Sequence, residues 1–185
     1  MSQALVADAA LARQGGPDRP LVQVAVGVLI QSDGLFLLTS RPPGKVYAGY
    51  WEFPGGKLEA SESVEQALGR ELEEELGIRV QRATPLLQVT HDYPERRVLL
   101  DVFEVTAWDG APHGREGQPL AWVEPERLRE HAFPAANLPI VTAARLPRLC
   151  LVTPQPSGAR DAAWFARLEA ALAAGVRLVQ LRAPG

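Results

Sequence analysis

The chain has 185 residues, 46% of them hydrophobic and 22% charged, with a formal net charge of −3 at neutral pH. This length and composition predict one globular domain of ordinary size plus an appendage, and they exclude a disordered chain. The slight negative charge provides no basic surface for duplex nucleic acid, and no apolar run reaches the roughly 18 residues that span a bilayer.

Residues 1–20 are predicted to form a flexible tail because they are rich in Ala, Gly and Pro. They lack the basic start of a secretory signal peptide, since Asp8 precedes Arg13. The single cysteine, Cys150, excludes an intrachain disulfide and fits a reducing compartment, so we expect a cytoplasmic protein. Because Cys150 lies between two leucines, we also expect it to be buried in a core.

Strands and helices are predicted along the rest of the chain from β-branched runs, turn signals and apolar periodicity. The predicted strands are Val22–Ile30, Leu35–Thr39, Leu86–Asp92, Val98–Ala107 and Leu120–Val123, and the predicted helices are Glu62–Leu76 and Leu138–Arg145. The first helix would have Ser61 or Ser63 as its N-cap and would end at Gly77. Trp108–Pro112 is predicted to be a tight connection. This pattern, with its antiparallel hairpins, indicates an α/β sandwich.

Four glutamates, Glu71, Glu73, Glu74 and Glu75, lie within five positions of the first predicted helix. Residues three or four apart share a helix face, so Glu71, Glu74 and Glu75 should project side by side, with Glu73 on the far face. Like charges at this spacing destabilise a bare helix by about 0.2–0.5 kcal/mol per pair. A hard divalent cation would reverse the sign of that effect. The stretch therefore indicates metal-assisted phosphate chemistry rather than a merely solvated helix face.

The same stretch carries a motif with fixed gaps. Nine positions match it: Gly56, Glu62, Arg70, Glu71, Leu72, Glu74, Glu75, Gly77 and Ile78. In these residues the chain resembles the Nudix hydrolases. The resemblance implies a Nudix fold, a mixed β-sheet sandwiched between helices, over residues 21–146. It also implies hydrolysis of a phosphoanhydride.

Outside the motif, the chain from Val24 to Pro147 resembles the MutT-type branch of that family. Glu116, in the segment Gly114–Pro119, resembles the second acidic loop of the branch, and Asn137 stands where those enzymes hold the purine. Four further residues resemble the nucleotide contacts of the branch: Arg41, Phe53, Lys57 and Arg96.

We expect Glu71, Glu74 and Glu75 to bind a metal ion, together with Glu116 and the backbone carbonyl of Gly55. The ion would be Mg²⁺, which Mn²⁺ could replace, because such sites use carboxylate and phosphate oxygens and retain waters. Glu71 is the first candidate to activate water and Glu116 the second. Two carboxylates in different environments can divide the roles of ligand and base.

Three polar residues have two interpretations each. Arg70 could orient a neighbouring glutamate through a charge-assisted hydrogen bond, or it could form an ordinary surface ion pair. Glu62 could cap the helix or support the metal ligands. The amide of Asn137 could match the altered donor pattern of an oxidised guanine, or it could cap the helix that follows.

The C-terminal segment forms a separate pattern. Two apolar strands, Leu149–Thr153 and Val176–Leu181, flank a predicted helix at Asp161–Ala174, which is a βαβ unit. Residues 147–185 resemble the start of a thiamine phosphate synthase-like barrel. A whole barrel needs about 200 residues or more, so we expect this segment to be a truncated fragment of a (β/α) barrel.

The leading hypothesis is hydrolysis of 8-oxo-dGTP to 8-oxo-dGMP and pyrophosphate, which sanitises the nucleotide pool and protects replication fidelity. The partner would be a small nucleotide, and the protein would be a monomer or a weak dimer. A second hypothesis keeps the chemistry and changes the substrate to another diphosphate, such as a thiamine precursor. A third is a non-catalytic module that recognises a damaged base, because Trp51–Lys57 resembles the damage-reading domain of adenine glycosylases.

Overall fold

The computed structural model describes residues 19–42, 44, 47–155, 158 and 161–182. Residues 1–18 of the predicted tail lie outside the described part of the chain. The chain divides into two compact units, Met1–Ala144 and Arg145–Gly185. Among the described helices, none is long and apolar enough to cross a membrane.

The first unit contains two sheets, whose seven strands are β1 Leu21–Leu29, β2 Phe36–Ser40, β3 Trp51–Glu52, β4 Gly55–Lys57, β5 Arg79–Asp92, β6 Arg97–Asp109 and β7 Leu120–Val123. The larger sheet has the order β4-β1-β6-β5, with β1 parallel to β6 and the other pairs antiparallel. The smaller sheet has the order β3-β2-β7 and is antiparallel. The larger sheet is therefore mixed, as predicted.

Helices pack on both faces of the larger sheet. Helix α1 (Val64–Leu76) buries Ala67, Leu68, Leu72 and Leu76 in one hydrophobic cluster with Ala25 and Phe103 of the sheet. A second cluster contains strand residues such as Val26 and Leu100, together with Leu128 from a 3₁₀ helix at Pro125–Glu130 and Ile140 from α2 (Leu138–Arg145). A short 3₁₀ helix, Ala135–Asn137, precedes α2. The predicted layering, a mixed sheet between helices, is confirmed.

Two strand boundaries in the larger sheet differ from the predictions. Strand β5 begins at Arg79 rather than at Leu86, although Pro85 lies within it and most of its first residues are exposed. Register shifts occur at Val80/Arg82, Arg82/Ala83 and Pro85/Leu87, and the last of them lies at the proline, which cannot donate to the ladder. Strand β6 runs on to Asp109, so the predicted tight connection at Trp108 begins too early. The short strands β3 and β4 were not predicted.

The N-terminus of α1 selects one of the two predicted caps. The Ser63 hydroxyl accepts a hydrogen bond from the Gln66 backbone N–H at 3.2 Å, and the Gln66 side chain accepts from the Ser63 N–H at 2.8 Å. This capping box starts the helix at Val64, two residues later than predicted. Ser61 does not cap the helix; it lies in the left-handed region with φ 69°. Gly77 ends the helix in the left-handed region, as predicted.

The second unit contains β8 (Cys150–Val152), α3 (Ala162–Ala173) and β9 (Leu178–Gln180), with β8 parallel to β9. This confirms the predicted βαβ fragment. Trp164 anchors α3, because its indole N–H donates to the Pro154 carbonyl at 2.8 Å and its ring is buried. The prediction that Cys150 is buried is wrong: the thiol is exposed. Cys150 and Val152 share one face of a sheet that has only two strands, and both are exposed there.

Candidate active site

The start of strand β4, which follows β3, depends on two glycines. Gly55 has φ 144°, and a Cβ there would lie 2.1 Å from the Ala25 carbonyl oxygen on β1. A Cβ on Gly56 would lie 2.1–2.3 Å from the carboxylate atoms of Glu71. The sequence Pro54–Gly55–Gly56 therefore lets the start of β4 lie close against β1. It also lets the Glu71 carboxylate lie directly on the backbone of Gly56.

Arg70 holds three of the motif glutamates. Its guanidinium forms a two-point ion pair with Glu62, at 2.7 and 2.9 Å, and donates to Glu71 Oε1 at 2.9 Å and to Glu74 Oε2 at 3.3 Å. A further bond, to the Lys57 carbonyl at 3.0 Å, ties the helix to β4. The hydrogen bonds from Arg70 lower the pKa of Glu62 to about 2. Of the two suggested functions of Glu62, capping of the helix is excluded, because Ser63 is the cap. The contact of Glu62 with Arg70 agrees with the other suggestion, support of the metal ligands.

Glu75 occupies a different environment. Its Oε2 accepts the Gly55 N–H at 3.2 Å. Burial raises the pKa of Glu75 to about 7, the Gly55 hydrogen bond opposes this, and the negative charges of Glu71, Glu52 and Glu116 add to the rise. The carboxylates of Glu71, Glu52 and Glu116 therefore lie near that of Glu75. Such a concentration of hard, like-charged oxygens fits a divalent cation.

Glu116 reaches this site from the loop that follows β6. The loop is bonded to the last turn of α1: the N–H groups of His113 and Arg115 donate to the carbonyls of Leu76 and Glu75, at 3.1 and 3.0 Å. These carbonyls have no partner within the helix, so the loop satisfies groups that a helix end leaves open. As a result, Glu116 is held beside the same helix that carries the motif glutamates.

A cavity of about 290 Å³ lies beside these carboxylates. It is lined by eight of the predicted site residues: Arg41, Phe53, Gly55, Lys57, Glu75, Arg96, Glu116 and Asn137. Arg70, Glu71 and Glu74 do not line it. Phe53 is only 3% exposed and stacks on Phe133, so most of its ring belongs to the core. The 3₁₀ turn Ala135–Asn137 brings the partly buried Asn137 to the cavity.

The side chains of the three helix residues expected to bind the metal, Glu71, Glu74 and Glu75, do not converge on one point. Among the described residues, no group of three His, Cys, Asp or Glu side chains is placed to hold a metal ion. Glu71 and Glu74 are turned toward Arg70, and the Glu74 side chain is 60% exposed. Only Glu75 and Glu116 of the expected carboxylate ligands line the cavity. The motif spacing correctly predicted that the glutamates lie on one helix. It did not reveal that Arg70 binds both Glu71 and Glu74.

Glu52 and Gln118 are two of the polar cavity residues that were not predicted from the sequence. Glu52 on β3 lines the cavity and pairs with Arg41, whose Nη1 lies 2.5 Å from Glu52 Oε2. The available signal was that Glu52 is a charged residue between two aromatic residues, just before Pro54–Gly55–Gly56. Gln118 also lines the cavity and is buried. No local pattern marks Gln118, because its Nε2 donates to the Glu75 carbonyl, which is distant in the sequence.

The family profile described as the NUDIX domain matches residues 25–143. The chain belongs to the Nudix family. Members of this family are hydrolases that depend on a divalent metal, so this Nudix domain is an enzyme.

Known proteins resemble this Nudix domain in sequence and in structure. The chain is 41% identical over 124 residues to the 8-oxo-dGTP diphosphatase of Haemophilus influenzae, covering 67% of this chain and 91% of that protein. It is 36% identical over 118 residues to the CTP pyrophosphohydrolase of Escherichia coli, covering 64% of this chain and 87% of that protein. A MutT structure, from a study of the Aliivibrio salmonicida and Vibrio cholerae proteins, superimposes with a TM-score of 0.61 at 43% identity, covering 68% of this chain and 97% of that one.

Proposed function

We propose that the protein hydrolyses 8-oxo-dGTP to 8-oxo-dGMP and pyrophosphate, and thereby removes an oxidised nucleotide before replication can use it. Water adds to one phosphorus, and the phosphoanhydride that links the monophosphate to the pyrophosphate breaks. The observation that carries the proposal is the cavity, which brings the carboxylates of Glu75 and Glu116, cationic side chains and an amide to one place.

The charges around the cavity fit a nucleoside triphosphate. Arg41, Lys57 and Arg96 line it and can pair with phosphate oxygens. Among the described residues, the buried Nε atom of Arg41 has no hydrogen-bond partner, which is a costly state that a ligand oxygen would relieve. Glu75 and Glu116 line the same cavity, so phosphate groups and carboxylates would share a cation.

The proposed metal ligands are the carboxylates of Glu71, Glu74, Glu75 and Glu116 and the carbonyl of Gly55. When bound, Mg²⁺, or Mn²⁺ in its place, neutralises phosphate charge and makes water more acidic. Glu71 remains the first candidate to accept the proton of water, with Glu116 second. Arg70 orients Glu71 through the 2.9 Å hydrogen bond.

Base selection is assigned to Asn137. An amide offers both a donor and an acceptor, and N7 of 8-oxoguanine carries a hydrogen where guanine has an acceptor. A site built for that donor leaves a group unpaired with dGTP, at about 1–3 kcal/mol per group. Phe53 provides apolar surface at the cavity wall.

A turnover panel tests the proposal. Release of pyrophosphate is measured as phosphate after pyrophosphatase treatment, with Mg²⁺, on 8-oxo-dGTP, dGTP, CTP and a pyrophosphorylated thiamine precursor. We expect the highest kcat/KM on 8-oxo-dGTP. An equal or higher value on another compound would refute the substrate assignment, and no turnover on any of them would favour the non-catalytic module.

Two variants test the residue assignments in the same assay. Glu74→Gln should abolish turnover with the fold retained, whereas Glu73→Gln, on the exposed far face of α1, should leave turnover intact. Asn137→Ala should lower kcat/KM on 8-oxo-dGTP more than on dGTP. Equal losses on the two nucleotides would remove Asn137 from base selection.

CTP is the second candidate substrate, because the similarity to the CTP pyrophosphohydrolase covers nearly as much of the chain as the similarity to the 8-oxo-dGTP diphosphatase. The motif glutamates and the phosphate contacts would serve both nucleotides alike. Only the contacts to the base would differ, so the ratio of the two kcat/KM values decides between them.

We also propose that the second unit, with β8, α3 and β9, is the beginning of a thiamine phosphate synthase-like barrel domain. Its parallel strand pair and connecting helix support this assignment. The free, exposed thiol of Cys150 fits a reducing cytoplasm, where we place the enzyme as a monomer or weak dimer.

A further inference from the structure

The side chain of Gln118 connects the backbones of two proposed metal-binding residues. Its Nε2 donates to the Glu75 carbonyl at 3.0 Å, and its Oε1 accepts the Glu116 N–H at 2.9 Å. Gln118 is only 8% exposed. One buried amide therefore joins the end of α1 to the loop that carries the second acidic residue.

The surrounding loop is shaped around this amide. A Cβ on Gly114 would lie 2.2 Å from the Gln118 carbonyl oxygen and 3.1 Å from Oε1, so the close turn requires glycine there. The Gly117 N–H closes the turn by donating to the Gly114 carbonyl at 3.1 Å. Arg115 adds a second tie to the helix, since its Nη1 donates to the Glu73 carbonyl at 2.9 Å.

A glutamine is the side chain that suits both bonds. The Glu75 carbonyl accepts the Arg115 N–H and has a second lone pair for another donor, the Glu116 N–H needs an acceptor, and an amide supplies one donor and one acceptor. A carboxylate of the same length would keep the acceptor and lose the donor. An apolar side chain would remove the acceptor of the Glu116 N–H and leave the Glu75 carbonyl with the Arg115 N–H alone, and an unpaired buried donor is costly.

We propose that Gln118 is a positioning residue that holds the Glu116 carboxylate opposite Glu75 at the metal site. Like charges repel, so a mobile loop would carry Glu116 away from the other carboxylates toward water. The amide opposes this movement by fixing the backbone of Glu116 to the backbone of Glu75. The inference rests on the proposed function in one respect only: that these carboxylates bind a divalent cation.

The test measures binding of Mn²⁺ alone to the full chain, by calorimetry or electron paramagnetic resonance. We expect Gln118→Leu to weaken Mn²⁺ binding by about tenfold or more, as loss of residues that orient metal ligands does. Gln118→Glu should weaken it less, because one of the two bonds remains. Hydrogen exchange provides a second readout: the Glu116 amide should exchange faster in Gln118→Leu.

A double-mutant cycle separates positioning from general destabilisation. If Gln118 acts through Glu116, Gln118→Leu should have little further effect on Mn²⁺ binding in a Glu116→Gln background. The matched control is Gln23→Leu, which removes another partly buried glutamine hydrogen bond, the 2.7 Å contact with Asp101. The control should lower the melting temperature without changing the Mn²⁺ affinity.

Unchanged Mn²⁺ affinity in Gln118→Leu, beside weakened affinity in Glu116→Gln, would overturn the proposal. So would additive effects in the double mutant. If Gln118→Leu fails to fold, Gln118→Glu decides the same question through the same affinity. A wild-type chain that binds Mn²⁺ but hydrolyses none of the tested nucleotides would refute the proposed substrates and leave the inference about Gln118 standing.

Discussion

Glu75 should make the metal-free protein less stable as the pH rises. Burial raises its pKa from the ordinary value of 4.5 to about 7. A carboxyl group with a higher pKa in the folded state binds its proton more tightly there, so protonation favours folding. This contribution to the free energy of unfolding is fully present below pH 4.5 and is lost as the pH rises through about 7.

The size of the effect follows from the two pKa values. They differ by about 2.5, and each pH unit between them corresponds to about 1.4 kcal/mol, which gives about 3.5 kcal/mol in total. Because Glu75 is only partly buried, water screens its charge, and we expect a loss of about 2 kcal/mol. A bound divalent cation would neutralise the carboxylate and cancel most of this loss.

Urea denaturation of the wild type and of Glu75→Gln between pH 4.5 and 8, with EDTA present, measures the effect. The two proteins should have similar free energies of unfolding at pH 4.5, and Glu75→Gln should be more stable by about 2 kcal/mol at pH 8. Glu73→Gln removes a carboxylate from the exposed face of the same helix and serves as the control. Replacement of EDTA by an excess of Mg²⁺ at pH 8 should reduce the difference in free energy of unfolding between the two proteins. Parallel curves for the wild type and Glu75→Gln across this range would refute the reasoning.

Three substitutions in or beside α1 give further expected outcomes. Gly56→Ala should reduce kcat by at least about tenfold, because the added Cβ would lie 2.1–2.3 Å from the carboxylate atoms of Glu71 and would displace them. Normal turnover would contradict the close contact between Gly56 and Glu71. Gly69→Ala is its matched control, since nothing lies within 4 Å of the added Cβ, and a urea titration should show a gain of about 0.5–1 kcal/mol with unchanged turnover. Ser63→Ala removes the hydroxyl that caps Gln66 and should cost about 1 kcal/mol in the same titration; no loss would mean that the cap contributes nothing.

Local patterns predicted the parts of the fold that depend on neighbours in the sequence. The capping signal, the apolar stripe and Gly77 located α1, because each acts within one or two helical turns. Strand β1 was found from its β-branched run, to within one residue at each end. The start of β5 was missed because its exposed residues and Pro85 lack the alternation of a half-buried strand.

The parts of the site that depend on fixed spacings within the motif could be predicted from the sequence. The parts that depend on the tertiary fold could not. The sequence analysis expected Glu75 and the Gly55 carbonyl at one site, and in the structure the Gly55 N–H donates to Glu75. The approach of Glu52 to Glu75 depends on the position of β3, a strand of only two residues that no pattern marks. The same limit explains Cys150, whose exposure is decided by the number of strands in its sheet rather than by its leucine neighbours.

The exposed thiol of Cys150 provides a chemical handle on the second unit. It is the only cysteine in the sequence, so a maleimide dye or spin label would attach at one known place. The unit that contains the cavity carries no thiol and would stay unlabelled. Anisotropy of such a probe would report the tumbling of the second unit directly, with no engineered cysteine and no change to any residue of the active site.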